Sequence, residues 1–220
     1  ISSSCSTLYY VESTDSITTA NVRTINRTGT TYDETHANIN NSPIKTRLDT
    51  WYEENIANHP EYTEYISDTL FCNDRSFNDL NTGTGVGTSE TYYRPYNENK
   101  TLKCSQQNDR FTVNDEVVGN GSLTYPVALL TIDEAWLAGG DSSSNSRYYL
   151  YTGNSYWTMS PNYFNGSNAR MRGVYSNGDL DYFYSADLSA GVRPVINLKP
   201  NSLKSGDGTA LNPYSVEETL

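Results

Sequence analysis

The stretch ARMRGVYSNGDLDYFY, residues 169–184, has the pattern of a β-hairpin. Two runs of residues, 169–175 and 180–184, flank Ser176-Asn177-Gly178, and Asn-Gly between alternating runs strongly favours a hairpin turn. Further short strands are predicted around this hairpin, at residues 127–130, 148–151, 156–159 and 191–198. A Gly-rich turn is predicted at 205–208. The C-terminal part of the chain is therefore expected to form a loop-rich antiparallel sheet.

Helices are predicted ahead of this sheet. Apolar residues recur at the spacing of an amphipathic helix: Ile44, Leu48, Trp51, Tyr52 and Ile56. Ser42 is placed to cap this helix, Pro43 suits its first position, and residues 58–60 end it. A second helix is predicted over 61–70, followed by a Gly-containing loop over 78–90. Thr131 and Glu134 form a capping box that opens a short helix ending at 139–140. The fold class predicted is α+β.

The composition limits the partners of the protein. The 220 residues carry 15 Lys and Arg against 26 Asp and Glu, a net charge of −11. Nucleic acids and anionic membrane surfaces attract clusters of basic residues, so neither is an expected partner. The chain has no apolar run of about 18 residues, the length that a membrane-spanning helix needs. Residues 1–42, rich in Ser, Thr and Asn, are interpreted as a polar extension, and residues 43–220 as the domain. Because the chain begins at Ile1, we expect an upstream segment to have been removed.

The three cysteines are Cys5, Cys72 and Cys104. None lies in a Cys-x-x-Cys pair or near His36 or His59, which argues against a zinc site. A disulfide in an oxidising extracellular setting is the preferred interpretation, and the pair chosen is Cys72–Cys104. Cys5 is then left free in the polar extension, where it could face another chain. The alternative is three inert thiols.

Residues suited to catalysis are sparse. His36 and His59 are the two histidines available for a catalytic triad, and His59 is better explained as a residue at a helix end. Asp133 and Glu134 are adjacent carboxylates, but they lie in the first turn of a predicted helix, where acidic residues are stabilising. The glycines of 83–87 lack the strand, helix and lysine of a phosphate-binding loop. The sequence therefore predicts a protein that is not an enzyme.

Cofactors are not expected, with calcium as the open alternative. Oxygen-bearing side chains suited to Ca²⁺ lie in predicted loops, without the spacing of an EF-hand. They are Asn73, Asp74, Asp141, Asn145 and Asp207.

Tyrosine is concentrated in residues 145–187, which hold eight of the 19 tyrosines together with many Asn, Ser and Asp residues. Tyrosine provides a large rigid contact area, and Ser and Asn provide adaptable hydrogen bonds, a composition typical of antibody paratopes. This indicates a recognition surface. The alternative is that tyrosine simply suits exposed strands.

Several motifs resemble a known family. Tyr156-Trp157-Thr158-Met159-Ser160-Pro161 and Gly191-Val192-Arg193-Pro194-Val195-Ile196-Asn197-Leu198 resemble the YWTxSP…GVRPVxNL signature of a surface-domain family of gut Firmicutes. The resemblance extends over residues 44–216, through 44–55, 71–76, 111–115, 123–140 and 206–214. In that family the domain often follows a prepilin-type N-terminal helix.

The same ending is similar to the C-type lectin-like fold, which formylglycine-generating enzymes share with the variable proteins of diversity-generating retroelements. The enzyme chemistry requires cysteines in the C-terminal half, and none follows Cys104. The variable proteins are the closer resemblance, because adenine-directed mutagenesis yields the Asn, Tyr, Ser and Asp that are frequent in 145–187.

The resemblance implies an extracellular or cell-surface domain that binds a protein or glycan without catalysis. Trp157 is expected in the core, and Arg193 is expected to pair with a carboxylate or with carbonyls. Alternation along the hairpin is expected to direct Arg170, Arg172 and Tyr175 outward. The full set of expected ligand contacts is Tyr163, Asn165, Asn168, Arg170, Arg172, Tyr175, Asp181, Tyr182 and Tyr184. The alternative function is a pilin-like or fibre subunit whose tyrosine surfaces serve self-assembly.

Overall fold

The first helix of the domain begins where its capping signals predict. The side chain of Ser42 accepts a hydrogen bond from the backbone N–H of Lys45 at 3.1 Å, and Pro43 occupies the first turn of helix α1, Pro43–Tyr52. Ile44 and Leu48 are fully buried on its inner face. The helix continues as a π-helical turn, Glu53–Ala57. It therefore stops before Pro60, in agreement with the predicted end.

The computed structural model describes residues 38, 41–78, 87–164, 169–180, 189–209 and 211–216, and the backbone of 183–185. The further helices are α2 (Pro60–Thr63), α3 (Glu90–Tyr93) and α4 (Ile132–Leu137), with a 3-10 turn at Gln107–Asp109. The strands are β1 (Ile66–Ser67), β2 (Phe71–Cys72), β3 (Gly87–Thr88), β4 (Arg110–Phe111), β5 (Tyr156–Phe164), β6 (Ala169–Val174), β7 (Phe183–Ser185) and β8 (Asn197–Leu198). This is a mixed α and β structure with small antiparallel sheets.

The main sheet has four antiparallel strands in the order β3-β5-β6-β7. Strand β5 contains irregularities on either side of Pro161, where its register against β6 shifts. Two smaller ladders pair β1 with β8 and β2 with β4. Since β1 precedes the main sheet and β8 follows it, the segments that enter and leave the sheet region lie side by side.

The hairpin between β6 and β7 has the turn that Asn177-Gly178 predicts. The N–H of Tyr175 donates to the carbonyl of Asp179 at 3.0 Å, and the N–H of Gly178 donates to the carbonyl of Tyr175 at 2.8 Å. Gly178 has φ +86°, and an added Cβ would lie 1.9 Å from the carbonyl oxygen of Asn145. Glycine is required here both by the left-handed backbone and by the close approach of a neighbouring loop.

Strands β5 and β6 contribute residues to a buried cluster on each face of the main sheet. Trp157 is only 1% exposed and packs with Met159 and Met171 in the larger core cluster, which also includes residues of α1. Tyr156 and Val174 belong to a second cluster with Ile132, Ala135, Tyr148 and Leu180. The core position predicted for Trp157 is confirmed. Because α4 contributes to the second cluster, the described parts of β5 and β6 that carry these residues lie between two layers.

The capping box of α4 is present as predicted. The side chain of Thr131 accepts from the N–H of Glu134 at 3.0 Å, and the Glu134 carboxylate accepts from the N–H of Thr131 at 2.7 Å. These two bonds satisfy backbone groups that the first turn of a helix leaves unpaired.

Several predicted elements are wrong in kind or extent. The strand predicted over 191–198 is limited to β8 and to isolated bridges that include Gly191 and Val195. The helix predicted over 61–70 is limited to α2, because Ile66 and Ser67 instead pair with β8. The strand predicted over 148–151 is a turn, in which the N–H of Tyr151 donates to the carbonyl of Tyr148. The strand predicted over 127–130 is reduced to one bridge, Ala128 with Val195. The loop predicted over 78–90 includes β3 and the start of α3. Residues 79–86 of this loop lie outside the described residues, and so does most of the extension 1–42.

The disulfide Cys72–Cys104 is confirmed. The two sulfur atoms lie at bonding distance, with the Cα atoms 5.6 Å apart. Cys72 belongs to β2, and Cys104 lies shortly before the partner strand β4, so the bond links the two sides of this ladder. In the described part of the chain, no helix combines the length and apolarity needed to cross a membrane.

Candidate functional site

The expected ligand contacts at one end of the sheet form a cross-strand pair. Tyr163 of β5 lies opposite Arg170 of β6 in the antiparallel register. The Arg170 guanidinium carbon lies 5.3 Å from the centre of the Tyr163 ring, a cation–π contact. Both side chains are half-buried. The pair is therefore held in place by the sheet while part of each side chain remains accessible.

The prediction that Arg172 is an exposed ligand contact is wrong. Its side chain is 1% exposed. One guanidinium nitrogen donates to the carbonyl of Tyr92 at 2.8 Å, and the guanidinium carbon lies 5.1 Å from the Tyr92 ring and 5.6 Å from the Tyr96 ring. Helix α3 and the turn after it cover this half of the sheet face. Burial lowers the pKa of Arg172 to about 10, a value at which the guanidinium is still charged near neutral pH.

The other end of the hairpin forms a second polar surface. The loop 141–147 packs against the hairpin turn through backbone and side-chain bonds: Asn145 N–H donates to the Asn177 carbonyl at 3.0 Å, and the Asn177 amide donates to the Ser144 hydroxyl at 2.8 Å. Tyr175, an expected contact, is half-buried here and packs partly against the core. Tyr149, in the following turn, is 86% exposed.

Loop 141–147 and Tyr149 were not among the expected contacts. The loop includes the run Ser142-Ser143-Ser144-Asn145-Ser146, whose small polar composition is also found in recognition loops.

The expected recognition surface is therefore divided. Arg170 lies near the start of β6 and Tyr175 follows its last residue, and five residue steps of extended chain span about 17 Å. Tyr184 belongs to β7, where its backbone pairs with Met171. Asn165, Asn168, Asp181 and Tyr182 lie outside the described residues. The described residues thus bring together Tyr163 and Arg170 alone.

Arg193 has the kind of partner expected for a structural residue. It donates to the carbonyl of Leu150 at 2.8 Å, and its guanidinium carbon lies 4.6 Å from the Tyr156 ring. Burial raises the pKa of the Tyr156 hydroxyl, an effect that the nearby Arg193 charge opposes. Arg193 therefore links the turn after Tyr148 to the start of β5.

The two motifs that carry the family resemblance are adjacent in space. The N–H of Trp157 donates to the carbonyl of Gly191 at 2.9 Å, and the N–H of Gly191 donates to the carbonyl of Ser155 at 2.9 Å. No family model, curated protein or solved structure matches the chain. The resemblance to the surface-domain family and to the C-type lectin-like fold therefore stays a hypothesis carried by these residues.

The residues considered for calcium belong to three segments of the chain: Asn73 with Asp74, Asp141 with Asn145, and Asp207. Asp74 is ion-paired with Arg94, and Asp207 accepts from the N–H of Thr209 at 3.0 Å, a bond that lowers the pKa of Asp207. Asp141 accepts from the N–H of Ser142 at 2.6 Å. Within the described ranges, no group of three or more His, Cys, Asp or Glu side chains is placed to hold a metal ion.

The candidate catalytic residues have structural surroundings. His59 is exposed beside Glu61, at the start of α2, and His36 lies outside the described residues. Asp133 accepts from the N–H of Thr101 at 3.1 Å and from Arg94 at 3.3 Å, while Glu134 serves the capping box.

Proposed function

We propose that the protein is an extracellular recognition domain with a C-type lectin-like fold, which binds a protein or glycan partner without catalysis. The binding surface proposed is the end of the sheet that carries Tyr163 and Arg170. The undescribed residues Asn165 and Asn168 adjoin this end in the sequence, between β5 and β6.

The observation that carries the proposal is the Tyr163–Arg170 pair itself. Tyrosine and arginine are enriched among the residues that dominate binding energies. The two side chains contact each other across two paired strands. They have therefore lost part of their rotamer freedom before a partner binds. Such preorganisation lowers the entropic cost of association.

Two further features support the setting and the fold. Disulfides persist mainly in oxidising compartments, so the Cys72–Cys104 bond is compatible with an extracellular location. The pairing of β1 with β8 brings together the segments that precede and follow the loop-rich antiparallel sheet. This arrangement is compatible with the C-type lectin-like fold.

The test is a binding screen of the whole chain followed by matched variants. The protein is applied to a glycan array and to a panel of purified extracellular proteins, and saturable hits are measured again with Tyr163→Ala and Arg170→Ala. Tyr214→Ala and Arg47→Ala are the controls, because both residues are exposed on other elements. We expect at least one of the two site variants to weaken binding by about fivefold or more, while the controls bind normally.

Two results would contradict the proposal. One is a saturable partner whose affinity is unchanged in both site variants. The other is concentration-dependent polymerisation, measured by sedimentation, that is lost in Tyr163→Ala. That second outcome would favour the fibre subunit, in which the same surface joins copies of the chain.

A further inference from the structure

Strand β5 contains an extra residue next to the Tyr163–Arg170 pair. Pro161 lies opposite Met171, and Tyr163 lies opposite Arg170. Met171 and Arg170 are consecutive on β6, whereas Asn162 separates Pro161 from Tyr163. Asn162 therefore has no residue opposite it on β6, which is the arrangement of a β-bulge. The bulge lies directly before one member of the proposed recognition surface.

The extra residue decides the face of the sheet on which Tyr163 lies. Met171 packs in the larger core cluster. Residues directly opposite each other share a face, and successive residues of a strand alternate between faces. Pro161 is therefore on the face of Met171, and Tyr163 is on the face of Arg170, where the cation–π contact also places it. In an uninterrupted strand, positions 161 and 163 would share a face, and the Tyr163 ring would point towards the larger core cluster.

The same face continues onto a third strand. Thr88 of β3 lies opposite Tyr163. Thr88, Tyr163 and Arg170 therefore form a row across β3, β5 and β6, and each of them is half-buried. The bulge brings the tyrosine ring into line with a residue that carries a hydroxyl on one side and a guanidinium on the other.

Hydrogen bonds from the junction of β3 and α3 hold the bulge in place. Asn162 is only 2% exposed, and its carbonyl accepts from the N–H of Ser89 at 2.9 Å. The hydroxyl of Thr91 donates to the carbonyl of Pro161. Proline itself suits a bulge, because it has no N–H to donate to a neighbouring strand. The bulge is thus a buried, anchored part of the fold, and it fixes the direction of the residue that follows it.

We propose that Asn162 is a positioning residue of the recognition surface: as the extra residue of β5, it turns Tyr163 away from the larger core cluster and onto the face of Arg170. This inference rests on the proposed function. β-Bulges are frequent beside functional sites, where they re-aim a side chain. The role belongs to the presence of a residue at position 162 and not to its amide group, so the residue count between Pro161 and Tyr163 decides the outcome.

The experiment measures nitration of individual tyrosines by tetranitromethane in the whole chain, with the yield at each site determined by peptide mass spectrometry. Deletion of Asn162 removes the extra residue, and Asn162→Gly is the matched control that keeps it. Tyr149, which is 86% exposed, and Tyr156, which is fully buried, are internal references. We expect nitration of Tyr163 in the wild type and in the control. In the deletion variant it should fall about fivefold or more, towards that of Tyr156, because a buried ring reacts only after local opening.

A second variant covers the case in which the deletion prevents folding, recognised by nitration of Tyr156 at the level of Tyr149. Asn162→Tyr/Tyr163→Gly has the same composition and length as Asn162→Gly and exchanges only the order of the two residues. The displaced tyrosine no longer lies opposite Arg170. We expect it to be nitrated about fivefold less than Tyr163 in Asn162→Gly.

Tyr163 nitrated equally in the wild type and the folded deletion variant would overturn the proposal. So would a wild-type Tyr163 as protected as Tyr156, or a control in which Tyr163 becomes protected. Any saturable partner found in the binding screen should bind the folded deletion variant as weakly as it binds Tyr163→Ala, and full affinity would also overturn the positioning role. A screen without partners contradicts the proposed function alone, because the nitration result does not depend on a partner.

Discussion

Replacement of Arg172 by alanine is expected to destabilise the domain, whereas the same change at Arg170 is not. The two arginines lie two residues apart on β6 and therefore belong to the same face of the strand. Arg172 is buried beneath Tyr92 and Tyr96, while Arg170 is half-exposed beside Tyr163. The pair is thus a matched comparison within one strand.

The expected magnitude follows from the contacts of Arg172. Loss of its charged hydrogen bond to the Tyr92 carbonyl costs about 1.5–3 kcal/mol. Loss of the desolvated cation–π contacts adds about 1–2 kcal/mol. Relief of the burial penalty, which lowers the Arg172 pKa to about 10, offsets part of this. We expect Arg172→Ala to cost about 2–4 kcal/mol once the cavity left behind is included.

Two further variants provide comparisons for the stability of Arg172→Ala. Arg172→Met loses the same hydrogen bond and cation–π contacts but keeps much of the side-chain volume, so it should destabilise the domain less than Arg172→Ala, by about the contribution of the cavity. Arg170→Ala should change stability by no more than about 0.5–1 kcal/mol, as partly exposed positions usually do.

The assay is urea denaturation followed by tryptophan fluorescence, with free energies of unfolding extrapolated to water. Equal, small effects of Arg172→Ala and Arg170→Ala would refute the reasoning. That result would mean that α3 does not cover this face in solution, and Arg172 would again be a candidate ligand contact.

Trp157→Ala should cost about 3–5 kcal/mol, because it empties a fully buried aromatic site; an unchanged thermal midpoint would contradict this. The Cys72–Cys104 bond closes a loop of 32 residue steps, so its reduction should lower the free energy of unfolding by roughly 3–4 kcal/mol. Calorimetry with and without reductant measures this difference. Free thiols at both positions in non-reducing peptide mapping would disprove the bond. Burial raises the pKa of Tyr148 above its usual 10. As pH rises above about 10, the unfolded chain therefore loses this proton while the folded chain keeps it, and stability falls by up to about 1.4 kcal/mol per pH unit. Tyr148→Phe should make that fall shallower, and an identical slope would count against burial of the hydroxyl.

Local signals in the sequence predicted the points where elements begin or turn. Ser42 with Pro43, Thr131 with Glu134, and Gly178 each act within a few residues, through a cap or a left-handed turn. Such features depend on the nearest backbone groups, so they are readable without knowledge of the rest of the fold.

The candidate site was predictable only in part, because its exposure depends on distant segments. Alternation correctly separates Met171, which lies in the core, from Arg172. Arg172, however, is covered by Tyr92, which lies 80 positions away in sequence. The alternation of residues within β6 cannot predict this contact. The strand predicted over 148–151 fails for a related reason: a tyrosine-rich run forms a strand only if a partner is present, and Tyr148 instead packs beside Tyr156.

The disulfide has a consequence for how the protein would withstand proteases. The bond between Cys72 and Cys104 spans α3, which covers Arg172, and residues 79–86 before β3. A single cleavage anywhere between the two cysteines leaves both fragments covalently joined. A nicked molecule would migrate as one species without reductant and as two with it, and its α3 segment would remain tethered to the sheet that it covers.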